Sequence, residues 1–510
     1  MSISEIHWTT QSGYPILAAL QLLPLVSVLL VWIRGDGRHL FALATGLALL
    51  ELLLALNLYH SYDLAESAMQ FGEKLELIGP FVYHAAADGI TVLFVLLNAL
   101  LTLLVVIYGQ VRELRPLPLL FSLVFFVESL LMSLLVSVNL LWFVLVSAIQ
   151  LLPVGYLIWR WAPSPEKDLA LARFYQYMGI GMLLLLVGTV VLGWNHAEVT
   201  GRGWSFDLPD LMGVSVPVQA GSAVFFLLFY GLAIRTPLFP FHGWLPIIAE
   251  HGSIAVAPVF LLGLKTGIYG MLRFVFPLMP EAVYQWHQFV MAFAVTGVFY
   301  AALMALLQVN LRRLLAFAVV SHTSLLVIGL FSLGKHGFEG SVILSVNFGL
   351  AITGLVFMIG LIYRRTHTML FTRLGGLFDR LPLLGIAFLV AGLSIIGMPG
   401  TPGFDAAHLV MEDAMHRFGA LVTIAASLGN VIAAGFLLWA FQRAFLSPPL
   451  DEARAIKVER ATNLEKLIAV LVIAILLGSG FYSEPWLELV ESSTRALNMP
   501  FVELDGAGRR

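Results

Sequence analysis

The chain has 510 residues, of which 59% are hydrophobic and 12% charged, with a formal net charge of −3. Soluble domains carry about 25% charged residues, so a water-soluble enzyme is excluded, and so is disorder, which needs low hydrophobicity. There are no cysteines, which removes disulfides, thiolate-held iron–sulfur clusters and Cys-based zinc sites.

Apolar runs near twenty residues long identify an all-α, polytopic membrane protein rather than a barrel, whose strands alternate over shorter segments. About fourteen spans are predicted, at 14–33, 39–59, 89–109, 117–138, 140–162, 174–194, 221–244, 254–277, 286–308, 312–333, 340–362, 382–404, 418–445 and 464–482. The first is a mature span rather than a signal peptide, because no Lys or Arg precedes it. The longest gaps leave no room for a soluble domain. The charged stretch between spans 13 and 14 is expected to form a surface amphipathic helix.

Lys and Arg set the orientation. With the N-terminus outside, the inside loops hold about eighteen cations, from Arg34 to Lys466, and the outside segments about seven. Both termini are therefore expected on the outer side of the membrane. Arg235, Lys265 and Arg273 fall within spans.

Two spans carry prolines at matching spacing, Pro237 and Pro240 in the seventh and Pro399 and Pro402 in the twelfth. Each proline removes a helical hydrogen bond, and matched interruptions point to an inverted repeat with its sites at the breaks. The expected organisation is helices 1–3 in 1–116, a first five-helix unit in 117–277, a second in 286–445, and a linker helix, last span and tail in 446–510.

The intramembrane polar residues are the candidate ion pathway. Lys265 lies mid-span, where burial favours proton exchange and snorkelling is awkward. Arg235 stays charged, so it gates or pairs but does not carry a proton. Glu128, the carboxylate of span 4, is expected to be its counter-charge. His322 lies in a polar Ser-His-Thr-Ser run and is suited to relaying protons. His242 follows Pro240 and is expected to satisfy carbonyls freed by the break. Glu51 is read as a contact with another subunit or a lipid-side defect. Asp405 and His408 follow the second break and are expected at the interface. No metal, nucleotide or flavin pattern occurs, no cofactor is expected, and no catalytic residue is assigned.

The runs Ala233-Ile-Arg235-Thr-Pro-Leu-Phe-Pro-Phe-His-Gly-Trp-Leu-Pro246, Leu261-Leu-Gly-Leu-Lys265-Thr-Gly-Ile-Tyr-Gly, Tyr83-His-Ala-Ala-Ala-Asp-Gly-Ile-Thr91, Asn310-Leu-Arg-Arg through His322, Gly397-Met-Pro-Gly-Thr401 and Gly480-Phe-Tyr-Ser-Glu-Pro485 resemble the antiporter-like membrane subunits of respiratory complex I. The resemblance spans nearly the whole chain. It implies fourteen helices, two inverted repeats and translocation of H⁺ or Na⁺ driven by chemistry in other subunits. It also implies a Glu–Lys–Lys–Glu chain, from which this sequence departs. The span-5 glutamate is Ala148, with Gln150 the nearest polar side chain. The first lysine is Arg235. The span-11 histidine is Phe348, beside Asn347. The span-12 acid or lysine is Ala407, for which Asp405 or His408 are the available substitutes. The expected partners are the lipid bilayer, no nucleic acid, and other membrane subunits. Those subunits belong to a quinone/redox arm or, by analogy with relatives in inorganic carbon uptake, to an assembly with a zinc carbonic-anhydrase-like protein. A non-conducting scaffold is the third reading.

Overall fold

The computed structural model describes residues 6–8, 13–37, 39–66, 68–253, 266–448 and 458–508. Among them, eleven helices are long and apolar enough to cross a membrane, and two shorter apolar helices, Ala220–Arg235 and Pro382–Ile395, lie at the two proline pairs. In chain order, α1 is Ile16–Arg34, α2 Leu40–Ser61, α3 Gly89–Arg112, α4 Leu117–Val136, α5 Leu140–Arg160 and α6 Lys167–Thr200. The short α7 is Leu208–Met212, followed by α8 Val218–Arg235 and α9 Trp244–His251. Residues 266–278 form α10, which contains a π turn at Met271–Val275. Then come α11 Pro280–Leu306, α12 Leu311–Phe331, α13 Lys335–Thr366, α14 Pro382–Ile395 and α15 Pro402–Phe418. The chain closes with α16 Ala420–Leu446, α17 Asn463–Phe481 and α18 Glu484–Gly508.

The apolar helices among the described residues fall on predicted spans, because a run of about twenty apolar residues satisfies its backbone in lipid as a helix; most of the predicted span 254–277 lies outside the described residues. Polar caps fix several starts. Asp88 accepts from Thr91 N at 2.8 Å to open α3, and Asn139 accepts from Trp142 N at 3.0 Å to open α5. Thr462 and Glu465 form a reciprocal capping box on α17. The apolar window of α12 is 100% buried and that of α2 only 28%. So α12 is central, and α2 presents most of its surface outward.

Two features were not expected. Residues Met69–Ile78 (β2) and Phe81–Ala87 (β3) form an antiparallel hairpin, joined by the parallel strand Ile6–Trp8 (β1). The turn is Gly79-Pro80, with Gly79 at φ 57°, a punctuation signal the apolar pattern overshadowed. The C-terminal tail is a helix, α18, packed on α3 and α13. It approaches so closely that a Cβ on Gly89 would lie 1.7 Å from the Leu489 carbonyl oxygen. The surface helix expected between spans 13 and 14 falls mainly on 449–457, outside the described residues, and 458–462 are not helical.

Both proline pairs interrupt their helices. α8 stops at Arg235 and α9 starts at Trp244, and α14 stops at Ile395 and α15 starts at Pro402. The second break turns through Gly397 and Gly400, at φ 78° and 86°, conformations costly for other residues. The runs 117–278 and 280–446 share further details. Asn139 and Asn310 each open the second helix and each sit in an antiparallel bridge, to Asp207 and Leu370. The last helix of each run carries a π turn, Met271–Val275 and Gln442–Leu446.

Candidate functional site

The breaks leave carbonyls that need partners, and specific side chains supply them. At the first break, Trp244 Nε1 donates to Ile234 O at 3.0 Å and Thr236 Oγ1 to Leu232 O at 2.8 Å. His242 was expected in this role. Instead its ring lies against Phe239 and Tyr300, at 5.8 and 5.2 Å between centroids, and its Nδ1 makes no hydrogen bond. The indole two residues on is long enough to reach back to the end of α8. At the second break, Asn347 on α13 donates to Ser394 O at 2.9 Å and accepts from Ser394 Oγ at 2.6 Å. Asn430 on α16 donates to Ile396 O at 2.8 Å. Asn347 thus clamps the break.

Arg235 ends α8 immediately before the first break and is 4% exposed. Its Nη2 donates to Oε1 of Gln150, a buried residue on α5. A neutral amide therefore faces the guanidinium two residues from Ala148.

The expected pair between Arg235 and Glu128 does not form. α4 packs on α1, α3 and α5, whereas α8 packs on α6, α10 and α11. Both oxygens of Glu128 are buried without a hydrogen-bond partner. Glu51 is 1% exposed, so it is neither a lipid-side defect nor a contact with another subunit.

His322, 2% exposed on α12, has Nδ1 at 2.8 Å from the Ala318 carbonyl. A carbonyl only accepts, so Nδ1 carries the hydrogen that it donates to Ala318 O. Phe348 meets the ring edge-on, with 5.4 Å between centroids. Asp405 is partly exposed and accepts from Ser483 Oγ at 2.5 Å, next to the start of α18, and His408 is exposed. Both occupy the half-helix beyond the break. Lys265 lies outside the described residues. Beside the first break is a cavity of about 160 Å³, lined by Phe229, Phe239, Phe241, Phe289 and Phe293 among others.

Two buried charge sites escaped the sequence reading. Arg273, in the π turn of α10, donates from Nη2 to Asp88 Oδ1 at 2.6 Å and to Thr91 Oγ1 at 2.8 Å. The signal was the cap pattern Asp-Gly-Ile-Thr before an apolar run; its partner lies 185 residues away. Outside the spans, Asp207 meets His84 at 3.2 Å, Asn139 Nδ2 at 2.6 Å and Lys74 Nζ at 3.0 Å. Burial pushes the Asp207 carboxyl up, but the hydrogen bonds from His84, Asn139 and Lys74 outweigh it and hold the carboxyl below its usual value.

A helical membrane bundle with two broken helices, an arginine at one break and carboxylates and imidazoles inside belongs to the transporter class of architecture. The family described as NADH:quinone oxidoreductase/Mrp antiporter, TM, matches residues 137–433. That is more than half of the chain, and the chain belongs to this family. NADH-quinone oxidoreductase subunit M of Rhodobacter capsulatus is 28% identical over 499 residues, 94% of this chain and 96% of its own. Subunit M of Escherichia coli (strain K12) is 28% identical over 473 residues, covering 89% and 91%. Among solved structures, a chain of respiratory complex I from Thermus thermophilus with bound NADH superposes with a TM-score of 0.83 at 26% identity, covering 94% of this chain and 99% of that one. A chain of the Mrp complex from Dietzia sp. DQ12-45-1b shares the fold, with a TM-score of 0.84 at 20% identity over 95% and 98%. The chain is thus an antiporter-like, multi-pass membrane protein, similar to subunit M.

Proposed function

We propose that this chain translocates protons across an energy-transducing membrane, as a non-redox subunit of a multi-subunit assembly related to NADH:quinone oxidoreductase. The observation that carries the reading is Arg235 buried at the end of a half-helix, at the break in α8, and held by Gln150. Irregular backbone at membrane depth is tolerated only where it is buried in protein or lines a water-filled cavity, and half-helix ends are where transporters place charge. In this reading Lys265 and His322 exchange protons. Arg235 does not; its permanent charge biases the groups along the axis. Trp244 and Asn347 support the two breaks.

The same reading has fourteen spans, with two inverted units in 117–277 and 286–445. The matched breaks, asparagine-capped bridges and π turns support the repeat. The excess of inside Lys and Arg supports placing both termini outside. The transported ion is read as H⁺, because the retained candidates, a lysine and a histidine, bind protons and not Na⁺.

The alanines at 148 and 407 favour one second reading, an energy-coupling subunit of an inorganic carbon uptake assembly with an altered stroke. Purifying the native assembly decides between them. Quinone-site and iron–sulfur subunits in the complex support the first reading, and a carbonic-anhydrase-like zinc protein in their place overturns it in favour of the second.

A further inference from the structure

Arg112, Arg312, Arg364 and Arg365 gather at one end of the bundle, where α3 ends, α12 begins and α13 ends. Two of them are paired. Arg364 Nη2 meets Glu113 at 2.8 Å, and Arg365 holds both oxygens of Glu465 at 2.8 and 2.5 Å. The other two, Arg112 and Arg312, form no ion pair with a carboxylate among the described residues. Arg312 is 5% exposed, and the Nε of each is buried without a hydrogen-bond partner.

Both lie along one face of α13, on which α3 and α12 pack. A Cβ on Gly360 would overlap the Tyr108 hydroxyl and lie 3.7 Å from Arg112 Nε, so the bare backbone at 360 is what lets the end of α3 sit there. Arg312 Cζ lies 4.2 Å from the centre of the Tyr363 ring. Residues 360 and 363 are neighbours on the helix surface, since positions i and i+3 stand about 5–6 Å apart. The two guanidiniums therefore cover adjacent turns of one helix face. The Tyr108 ring is held at the same place by stacking on Phe357, with 4.3 Å between centroids, and its hydroxyl is also buried without a hydrogen-bond partner.

The two nearby carboxylates, Glu113 and Glu465, are engaged by Arg364 and Arg365. A buried charge without a counter-charge is costly. A guanidinium offers its donors in a planar fork that matches phosphate oxygens. Arg112 is partly exposed, so the pair is reached from the surface. The site lies at helix ends, level with lipid headgroups, where basic pockets between spans take phosphate-bearing groups.

We propose that Arg112, Arg312 and the Tyr108 hydroxyl bind one phosphate-bearing anion, to whose oxygens all three donate. A phospholipid headgroup and free phosphate present the same oxygens. The inference does not depend on the chain translocating ions, and its test reads binding rather than transport.

The test compares the native complex carrying the wild-type chain with one carrying Arg312→Gln, both stripped of lipid in an uncharged detergent. One arm adds phosphatidylglycerol and counts total phosphorus per complex after gel filtration. The other adds labelled inorganic phosphate and counts bound label at equilibrium by dialysis. The wild type should hold one equivalent more than the variant. A difference in the lipid arm alone assigns the site to a headgroup, and a difference in the phosphate arm assigns it to a soluble anion. Equal counts for wild type and variant in both arms overturn the proposal. So does an equal loss in Arg495→Gln, an exposed arginine paired with Glu491 near the opposite end of α13. If Arg312→Gln does not assemble, Arg112→Gln takes its place with the same loss expected.

Discussion

Arg235 and Gln150 join the end of α8 to α5, the guanidinium Nη2 donating to the amide Oε1. Gln150→Leu removes this acceptor from a buried charge. Hydrogen bonds to charged groups contribute about 1.5–3 kcal/mol, so the variant should unfold at a lower temperature than wild type in the same lipid. An unchanged midpoint would mean that the amide contributes nothing to holding the arginine.

Asp88 and Arg273 tie the start of α3 to the π turn of α10, both being 4% exposed. Removing one partner of a buried pair typically costs about 3–5 kcal/mol. Arg273→Met should therefore destabilise the protein by about that amount, and adding Asp88→Asn should recover part of the loss. Thermal unfolding of the three variants measures this. Simple additivity of the two losses would contradict the pairing.

The Asp207 carboxyl is held below its usual range by His84, Asn139 and Lys74 against the opposing effect of burial. A carboxylate with a depressed folded pKa contributes stability that is fully present above its unfolded value, about 3.9. That contribution is lost as pH falls through the lower folded value. The stability advantage of wild type over Asp207→Asn should stay constant near neutral pH and shrink in strong acid. Unfolding midpoints taken from about pH 6 down to about pH 3 check the window, and an advantage that grows on acidification would reverse the sign.

Asn347 and Ser394 exchange two hydrogen bonds across the second break. Asn347→Leu leaves the Ser394 carbonyl and hydroxyl without these partners. Each unsatisfied buried group costs about 1–3 kcal/mol. Hydrogen exchange at the amides of 394–401 should accelerate in the variant while exchange in α12 stays unchanged.

The spans and both breaks were legible because apolar run length and proline chemistry act locally. Arg235 and His322 were singled out for the same reason, each being polar within an apolar run, whereas Gln150 and Asn347 were named only through the family resemblance, as neighbours of Ala148 and Phe348. Pairing was not legible. Glu128 was matched to Arg235 on charge alone, yet α4 and α8 are not packing partners, and which helices touch depends on tertiary arrangement. The same limit hid Asp88–Arg273, whose residues were each noticed separately. The hairpin escaped because it lies in the gap between apolar runs and is marked mainly by Gly79-Pro80. α18 escaped because its apolar face is diluted by the charged residues that bind it down, such as Glu491 to Lys335 at 2.8 Å and Asp505 to Arg417 at 2.8 Å.

The most direct test of the account is proton movement in sealed vesicles containing the intact native complex, with Arg235→Gln compared against wild type. The account predicts that the variant complex assembles with its full set of subunits and that translocation per turnover of the driving reaction falls. Wild-type translocation in an assembled Arg235→Gln complex would contradict a role for the broken helix and its buried arginine, and would leave the chain a scaffold.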